Sequence, residues 1–446
     1  LSSFVINPKI IGWSWNYLSS DNLLLHEAKV QKGVLAPDGP AWKAFVVESS
    51  QNLTLTALRS LQVFAQKGLP IIISGGTPGY YPTASGHLEE AKFEPEIERL
   101  IRSRNVYSVS SGHVADKLRE LGIRPLVQTD TNGTCYTNWA ESEGVGYAMV
   151  FSDSTKSTGS ITVASTKPPF YINAWTGKIQ PVLIYERTRT ATIIPIDLEP
   201  NQAIYLAFAD RISDETVSIP SYHVQKAPSQ VVGVEVNNQQ KISLHVARSD
   251  TPAVAVLSTD RKIWLDSRRI DLAFELSNWT LTVEHWEAPK DLYESEHTYK
   301  YNTTHHLTKL VSWTAIPELV NVSGVGYYAS SFQWPPNEVP EGTDSSQGAY
   351  LRFPRLLDTL TVSINGHALP QLDITNAVMD VTQYLRHGEN TVQAIIPTTL
   401  RNYVRSIIGE LFTAGIPATA FGASLPRSEA GLLADVAVVP VRIITV

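Results

Sequence analysis

Two spacings of apolar residues divide the chain. Over the first 125 positions the pattern switches between strand and helix. Ala44 to Glu48 is a short apolar run, and residues 52–67 carry Leu55, Leu58, Leu61, Val63 and Phe64 at helical spacing. Gly68-Leu-Pro70 then turns the chain into the apolar stretch Ile71 to Ile73. Strand, helix, glycine turn and strand in that order predict a βαβ unit, whose hand and parallel pairing follow from sheet twist. A second helix is expected from Pro95 to Arg104, with the proline in the first position, where no N–H is needed. Gly112 to Leu121 supplies a third. Residues 1–125 therefore read as an α/β domain around a small parallel sheet.

From residue 126 the helical period is lost. Strand-forming runs begin at Val145, Gly159, Gln180, Ala191 and Ala203, divided by clusters of Gly, Pro, Asn and Asp. Short strands at close, regular spacing predict a β-sandwich over 126–260. Residues 261–446 are strand-rich too, with runs beginning at Trp279, Gly326, Ala349, Leu360 and Thr391. Asn365-Gly366 is a type I′ hairpin signal, because both central residues of that turn take positive φ. Residues 335–348 form a long polar loop. No repeat of solenoid or propeller period is present. The expected architecture is multidomain, an α/β unit followed by two all-β units.

Composition narrows the function classes. Of 446 residues, 43% are hydrophobic and 18% charged, which suffices for packed cores. Asp plus Glu number 43 against 36 for Lys plus Arg, so the basic footprint of a nucleic-acid binder is missing. No apolar run approaches the ~18 residues of a membrane-spanning helix. The single cysteine, Cys135, excludes an intrachain disulfide and any multi-thiolate metal site. It lies in a Gly-Thr-rich loop and not at a strand-to-helix elbow, and G-x-S-x-G is absent, so no nucleophile motif is found. Cys135 reads as a packed thiol or an interchain partner. Sequons of the form N-x-S/T stand at Asn52, Asn132, Asn278, Asn302 and Asn321. With ten tryptophans and eighteen tyrosines against two methionines, they favour an extracellular, secreted glycoprotein that handles carbohydrate. The start at Leu1 reads as a processed end, made by a proteolytic cut.

Within the third unit a string of motifs follows in order. It comprises Trp279, Trp313, Ile316-Pro-Glu-Leu319, Gly326-Tyr-Tyr328, Phe332 and Ala349-Tyr-Leu-Arg-Phe353. Val362-Ser-Ile-Asn-Gly366, Asp380-Val-Thr-Gln-Tyr-Leu385 and Gly388-Glu-Asn-Thr-Val392 complete it. The string resembles the sugar-binding jelly-roll domain of glycoside hydrolase family 2, a galactose-binding-like fold. The whole chain also carries Trp13-Ser-Trp-Asn-Tyr17, Ala36-Pro-Asp-Gly-Pro40, Ala174-Trp-Thr-Gly177, Glu284-His-Trp-Glu-Ala-Pro289 and Pro397-Thr-Thr-Leu400. On these it resembles the C-terminal portion of secreted fungal proteins similar to glycoside hydrolase family 106, the α-L-rhamnosidases. The resemblance implies a flavodoxin- or amidotransferase-like module for 1–125, and a catalytic (β/α)8 barrel N-terminal to domains of this kind. Eight β/α repeats are not found in this chain, so no catalytic glutamate is carried over. The barrel would be an N-terminal chain or segment of the same precursor. Calcium on the jelly roll is implied by the same resemblance, and no other cofactor is expected.

Glycosidases set two carboxylates roughly 5–9.5 Å apart across the scissile bond. Glu284 and Glu287, around His285 and the aromatic platform of Trp286, offer such a pair; a strand end with two solvated acids is the plainer reading. Trp13, Trp15 and Tyr17, spaced i, i+2, i+4, would share one strand face. They would form either a stacking surface for a pyranose or a face for a neighbouring domain. Tyr80 and Tyr81 follow Gly75-Gly-Thr-Pro-Gly79 at the C-terminal end of the Ile71 strand, where open α/β sheets bind ligands. That loop lacks the lysine and glycine spacing of phosphate sites, and an interface or structural loop is the alternative. His305-His306 reads as a solvated loop pair without metal-ligand spacing. Arg352 and Arg355 beside Phe353, and Arg401, Asn402, Tyr403 and Arg405, would line a site for an acidic sugar or form interdomain salt bridges.

The function expected is the accessory part of a secreted, rhamnosidase-like glycoside hydrolase, with catalytic carboxylates outside this chain. Two alternatives stay open: a stand-alone carbohydrate-binding protein, and a self-contained enzyme working through Glu284 and Glu287.

Overall fold

In the computed structural model, which describes residues 12–82, 87–211, 219–237, 239–294, 296–336, 347–413, 415 and 426–446, strands far outnumber helices. The opening residues 1–11 and most of the expected polar loop at 335–348 lie outside the described residues.

The N-terminal sheet has three parallel strands, with Ile71–Ser74 between Phe45–Glu48 and Val106–Val109. Its central strand is buried at all four positions, as a strand covered on both faces must be. Ile71 and Ile73 face one layer, where helices Leu55–Gln66 and His87–Ile101 supply Leu58, Leu61, Phe64, Phe93, Ile97 and Leu100. Ile72 faces the other, against Val114, Ala115 and Leu118 of helix Val114–Glu120. The first helix starts where its sequence stops it unravelling: the Thr54 side chain accepts a hydrogen bond from the Ala57 N–H at 3.1 Å. The second helix corrects the expectation drawn from Pro95. It begins at His87 and keeps Pro95 inside. Phe93, Ile97 and Leu100 continue one apolar face past the proline, and that burial outweighs the ~3 kcal/mol cost of an internal proline.

Residues 127–208 form two antiparallel sheets over a shared core. Five strands (Ile179–Pro181, Pro169–Ile172, Ala203–Phe208, Val145–Ser152, Cys135–Ser142) face four (Glu186–Arg187, Thr192–Leu198, Ser157–Val163, Val127–Thr131). Val150, Ile204, Leu206 and Phe208 meet Ile161, Val163, Ile194 and Ile196 there. Cys135 belongs to this core at 1% exposure, a packed thiol.

The C-terminal part again pairs two antiparallel sheets. One runs Tyr299–Leu307, Trp279–Glu287, Gly324–Trp334, Gly388–Pro397, Thr361–Ile364, His367–Ala368. The other runs Val231–Val236, Ile242–Ala247, Ala437–Thr445, Gly348–Arg352, Val378–Asp380. Strand Ile242–Ala247 thus pairs with the last strand of the chain, across the boundary expected at 260. Alternation locates strands but does not name their partners. A further three-stranded sheet (Val224–Lys226, Ala253–Leu257, Lys262–Leu265) packs on Ile242, Leu244 and Val246. Asn365 and Gly366 take φ of 52° and 83°, as the hairpin turn requires. His305 and His306 lie within the edge strand Tyr299–Leu307 and not in a loop.

Candidate functional site

The strand Trp279–Glu287 carries the expected acids, and its alternation decides what they do. Trp279, Leu281, Val283 and His285 are buried on the core side, and the even-numbered residues face the other way. Glu284 and Glu287 therefore point to opposite faces, which is not the arrangement of an acid and base flanking one bond. Glu284 is also committed. It accepts the Trp286 indole N–H at 2.5 Å and lies 3.5 Å from the Lys300 ammonium, which sits 3.9 Å over the Trp286 ring.

Glu287 belongs to a different group on the inner face. Its carboxylate accepts the Tyr301 hydroxyl at 2.9 Å. The Tyr301 ring stacks on His285 with centroids 4.3 Å apart and planes 18° from parallel. His285 Nε2 is 2.8 Å from Thr303 Oγ1, which is 3.0 Å from His305 Nε2. Thr303 has one hydroxyl proton, so at most one of these histidines accepts from it and at least one donates to it. His285 Nδ1 is buried and has no hydrogen-bond partner. Burial pulls the His285 pKa down, so the ring is neutral at physiological pH. Burial, then the bond to Glu287, pushes the Tyr301 hydroxyl up.

The 3₁₀ turn Pro317–Leu319, the residues after it and helix Arg401–Ser406 close this group into a cavity of about 270 Å³. His285, Trp286, Glu287, Tyr301, Asn321 and Tyr403 are among its lining residues. Ser323 holds the two sides together: its carbonyl accepts the Trp286 N–H at 2.9 Å, and its hydroxyl accepts the Tyr403 N–H at 3.2 Å. The Tyr403 hydroxyl accepts the Ala288 N–H at 2.9 Å. Among the described residues the lining holds two carboxylates, Glu287 and Glu318, and no lysine or arginine.

Trp286, Glu287, Asn321 and Tyr403, singled out separately in the sequence, thus meet at one place. Tyr301 and Ser323 were missed, and His285 entered only as a neighbour of the two glutamates. The signal available was the polar-aromatic alternation Tyr299, Tyr301, Thr303, His305 on the inner face of an edge strand, where a core would place aliphatics. The arginines do not join them. Arg352 and Arg355 are exposed elsewhere, Arg401 donates to the Pro426 carbonyl at 3.2 Å, and Asn402 is buried and bonded both ways to Ser428. A larger recess of about 500 Å³ lies at Arg248, Arg269, Leu272, Phe274 and Gln333. Its Arg248 is occupied by the Ile270 carbonyl and Asp250.

The other aromatic candidates separate. Residues 13–19 form no strand, so the spacing of Trp13, Trp15 and Tyr17 does not place them on one face. Trp13 is buried against Ile72 and Leu118 with the Arg119 guanidinium 5.0 Å above it. Trp15 and Tyr17 remain exposed, edge to face at 4.8 Å. Tyr80 turns inward, 5.4 Å from Phe93, while Tyr81 is exposed. Of the sequon asparagines, Asn52, Asn132, Asn278 and Asn302 are exposed, and Asn321 is half-buried with its side-chain oxygen accepting from Arg427 at 3.2 Å.

No protein-family model and no curated protein matches the chain. Solved structures do. A rhamnosidase from Novosphingobium sp. PP1Y superposes with a TM-score of 0.56 at 17% identity, over 95% of this chain and 36% of its own. The chain shares the fold of a segment of that glycoside hydrolase and spans about a third of its length. A β-glucuronidase from Faecalibacterium prausnitzii matches 40% of this chain and 33% of its own at 14% identity, with a TM-score of 0.24 that carries no weight.

A second titratable cluster lies apart from the cavity. His245, 2% exposed, sits between Asp380, 3.3 Å from Nδ1, and Glu235, 3.3 Å from Nε2. The Tyr350 oxygen is 2.9 Å from Nδ1. Ligand-type atoms of the three acid and imidazole groups lie within 4.8 Å of one another. The carboxylates meet opposite nitrogens of one ring, so one ion cannot join both through a single nitrogen. The trio also falls short of the six to eight oxygens of a calcium site. It reads as an imidazole held between two carboxylates, with Nε2 facing Glu235 at 3.3 Å without a hydrogen bond. Burial pulls the His245 pKa down, but the hydrogen bond and charge of Asp380, joined by Glu235, outweigh it and raise it. Burial pushes Asp380 up, and His245 and Thr382 outweigh that and hold it low. The raised His245 contributes stability below its unfolded value of about 6.5 and loses it as pH rises through its folded value. The lowered Asp380 contributes above about 4 and loses it as pH falls. Thermal melts of wild type and His245→Gln should therefore differ most between about pH 4 and 6.5 and converge as pH rises beyond the raised folded value of His245. A difference that ignores pH would contradict the assignment.

Proposed function

We propose that this chain is the C-terminal accessory portion of a secreted glycoside hydrolase resembling the α-L-rhamnosidases of family 106. In this reading the α/β unit is a flavodoxin- or amidotransferase-like module. The C-terminal pair of sheets is a galactose-binding-like jelly roll. The bonds of plant or microbial glycans are cut by a barrel on another chain or segment, and these domains orient the sugar.

The observation that carries the proposal is the superposition on a rhamnosidase along 95% of this chain, against only 36% of the enzyme. The opposed faces of Glu284 and Glu287 support it, since they deny this chain its only proposed acid and base. A stand-alone carbohydrate-binding protein is the second reading, favoured by the aromatic, hydroxyl-lined cavity. The two part on whether a catalytic segment accompanies this one. The test is hydrolysis of an aryl α-L-rhamnoside by the chain alone, where no turnover is expected and sustained turnover would overturn the division of labour.

A further inference from the structure

We infer that the cavity at the rim of the six-stranded sheet is a binding site for a single neutral pyranose. The inference deepens the carbohydrate-handling reading and rests on it for the ligand class. Its geometry stands on four observations.

The first is size. At about 270 Å³ the cavity falls just below the range of about 300–1,000 Å³ that houses drug-sized ligands. One sugar ring fits; a chain of them would run out over the rim.

The second is the aromatic surface. A pyranose presents a patch of C–H groups on one face, which packs on an aromatic ring. His285 covers one face of Tyr301, yet Tyr301 keeps 39% of its surface exposed. The stack on His285 and the Tyr299 ring 5.9 Å away fix the ring's orientation, so little freedom is lost when a ligand docks on its exposed surface.

The third is the hydrogen-bonding complement. Glu287 accepts from Tyr301 through one oxygen, and a carboxylate has about four lone-pair sites. It can therefore also accept from neighbouring hydroxyls of a sugar. Tyr403 and Ser406 add hydroxyls to the lining. His285, 4% exposed, lines the same cavity, with its Nε2 beside Thr303 and its Nδ1 buried.

The fourth is charge, which sets the class of sugar. Glu287 and Glu318 are the charged side chains of the lining. The nearby Lys300 is turned to the outer face, onto Trp286 and Glu284. A uronate entering this cavity would meet two carboxylates in the lining, while Lys300 and Arg427 lie behind it, held by Glu284 and Asn321; like charges at close range are costly. The acidic sugar expected from the sequence's arginines is therefore disfavoured here, and a neutral one is favoured.

The experiment is ligand-observed NMR and calorimetry on the intact chain. The probes are the methyl pyranosides of L-rhamnose, D-galactose, D-mannose and D-glucose, with D-galacturonate and D-glucuronate as their anionic counterparts. At least one neutral pyranoside should bind, with the uronates weaker by ~10-fold or more. Tyr301→Ala and Glu287→Gln should each weaken binding by ~10-fold or more. Tyr301→Phe, which keeps the stack and loses the hydroxyl, should fall between. Thr282→Ala, on the opposite face of the same strand, should change nothing. Should Tyr301→Ala fail to fold, Tyr301→Phe and Glu287→Gln carry the decision. The proposal is overturned if no neutral pyranoside binds, if uronates bind as well as neutral sugars, or if binding ignores the Glu287 and Tyr301 substitutions. Loss of the site on those grounds would leave the accessory role standing, because that role is judged by turnover.

Discussion

Replacing Trp313 by alanine should cost about 3–5 kcal/mol, the range for removing a buried large aromatic. Trp313 is 0% exposed at the centre of the C-terminal core. Its indole N–H donates to the Tyr328 hydroxyl at 2.7 Å, and that oxygen also accepts the Leu432 N–H at 3.1 Å. Burial pushes the Tyr328 pKa up to about 12, so the group remains a neutral hydroxyl at every pH where the fold is tested. Two glycines make room for the indole. A Cβ at Gly431 would lie 2.4 Å from Trp313 Nε1, and one at Gly326 would lie 2.6 Å from the ring. Alanine at position 313 leaves a void lined by strands and a hydroxyl that has lost one of its two donors. Tyr328→Phe keeps the packing but strands two N–H groups, each costing about 1–3 kcal/mol when left unpaired and buried. Urea denaturation monitored by fluorescence should show both losses. A loss below about 1 kcal/mol at Trp313 would mean that this core is not packed as described.

Gly324→Ala is the second severe change, and it reaches the cavity. Gly324 pairs with His285 and has φ of 153°. A Cβ there would sit 1.9 Å from the Glu284 carbonyl oxygen. No side-chain rotation relieves that overlap, so the strand Gly324–Trp334 must move off Trp279–Glu287. Strain of this kind costs roughly 1–3 kcal/mol, and the disturbed ladder adds to it. Ser323, the next residue back, bonds both Trp286 and Tyr403, so the cavity should open as well. Gly366→Ala is the control. Gly366 has φ of 83° and nothing within 4 Å of its Cβ position, so only backbone strain of about 1 kcal/mol is expected. Equal losses at the two glycines would show that φ alone matters and that the contact with Glu284 does not.

The contrast between these positions also explains what the sequence made legible. Local rules operate where the partner is a few residues away. Thr54 capping its helix, Asn365-Gly366 turning a hairpin and the unbroken apolar run of Ile71 to Ile73 all belong to that class. What eluded the pattern is pairing at long range. Nothing in the alternation of 242–247 says that its partner is the strand 437–445, nearly two hundred residues on. Pro95 misled because a local rule was applied where an apolar face continued through it. Glu284 and Glu287 are neighbours in sequence, yet their odd spacing on a strand sets them on opposite faces. Trp13, Trp15 and Tyr17 were assigned a strand's periodicity in a stretch that forms none. The cavity lies between these extremes. Trp286, Glu287, Asn321 and Tyr403 were visible one at a time, but only the register Glu287↔Tyr299 and His285↔Tyr301 brings the second strand's rings beside them.

The most direct measurement is release of aglycone from aryl glycosides, aryl α-L-rhamnoside first, by the purified chain alone and with the catalytic segment supplied. No release above buffer is predicted for the chain alone, with turnover appearing when that segment is added. Sustained turnover by the chain alone, abolished by Glu287→Gln, would contradict an accessory role.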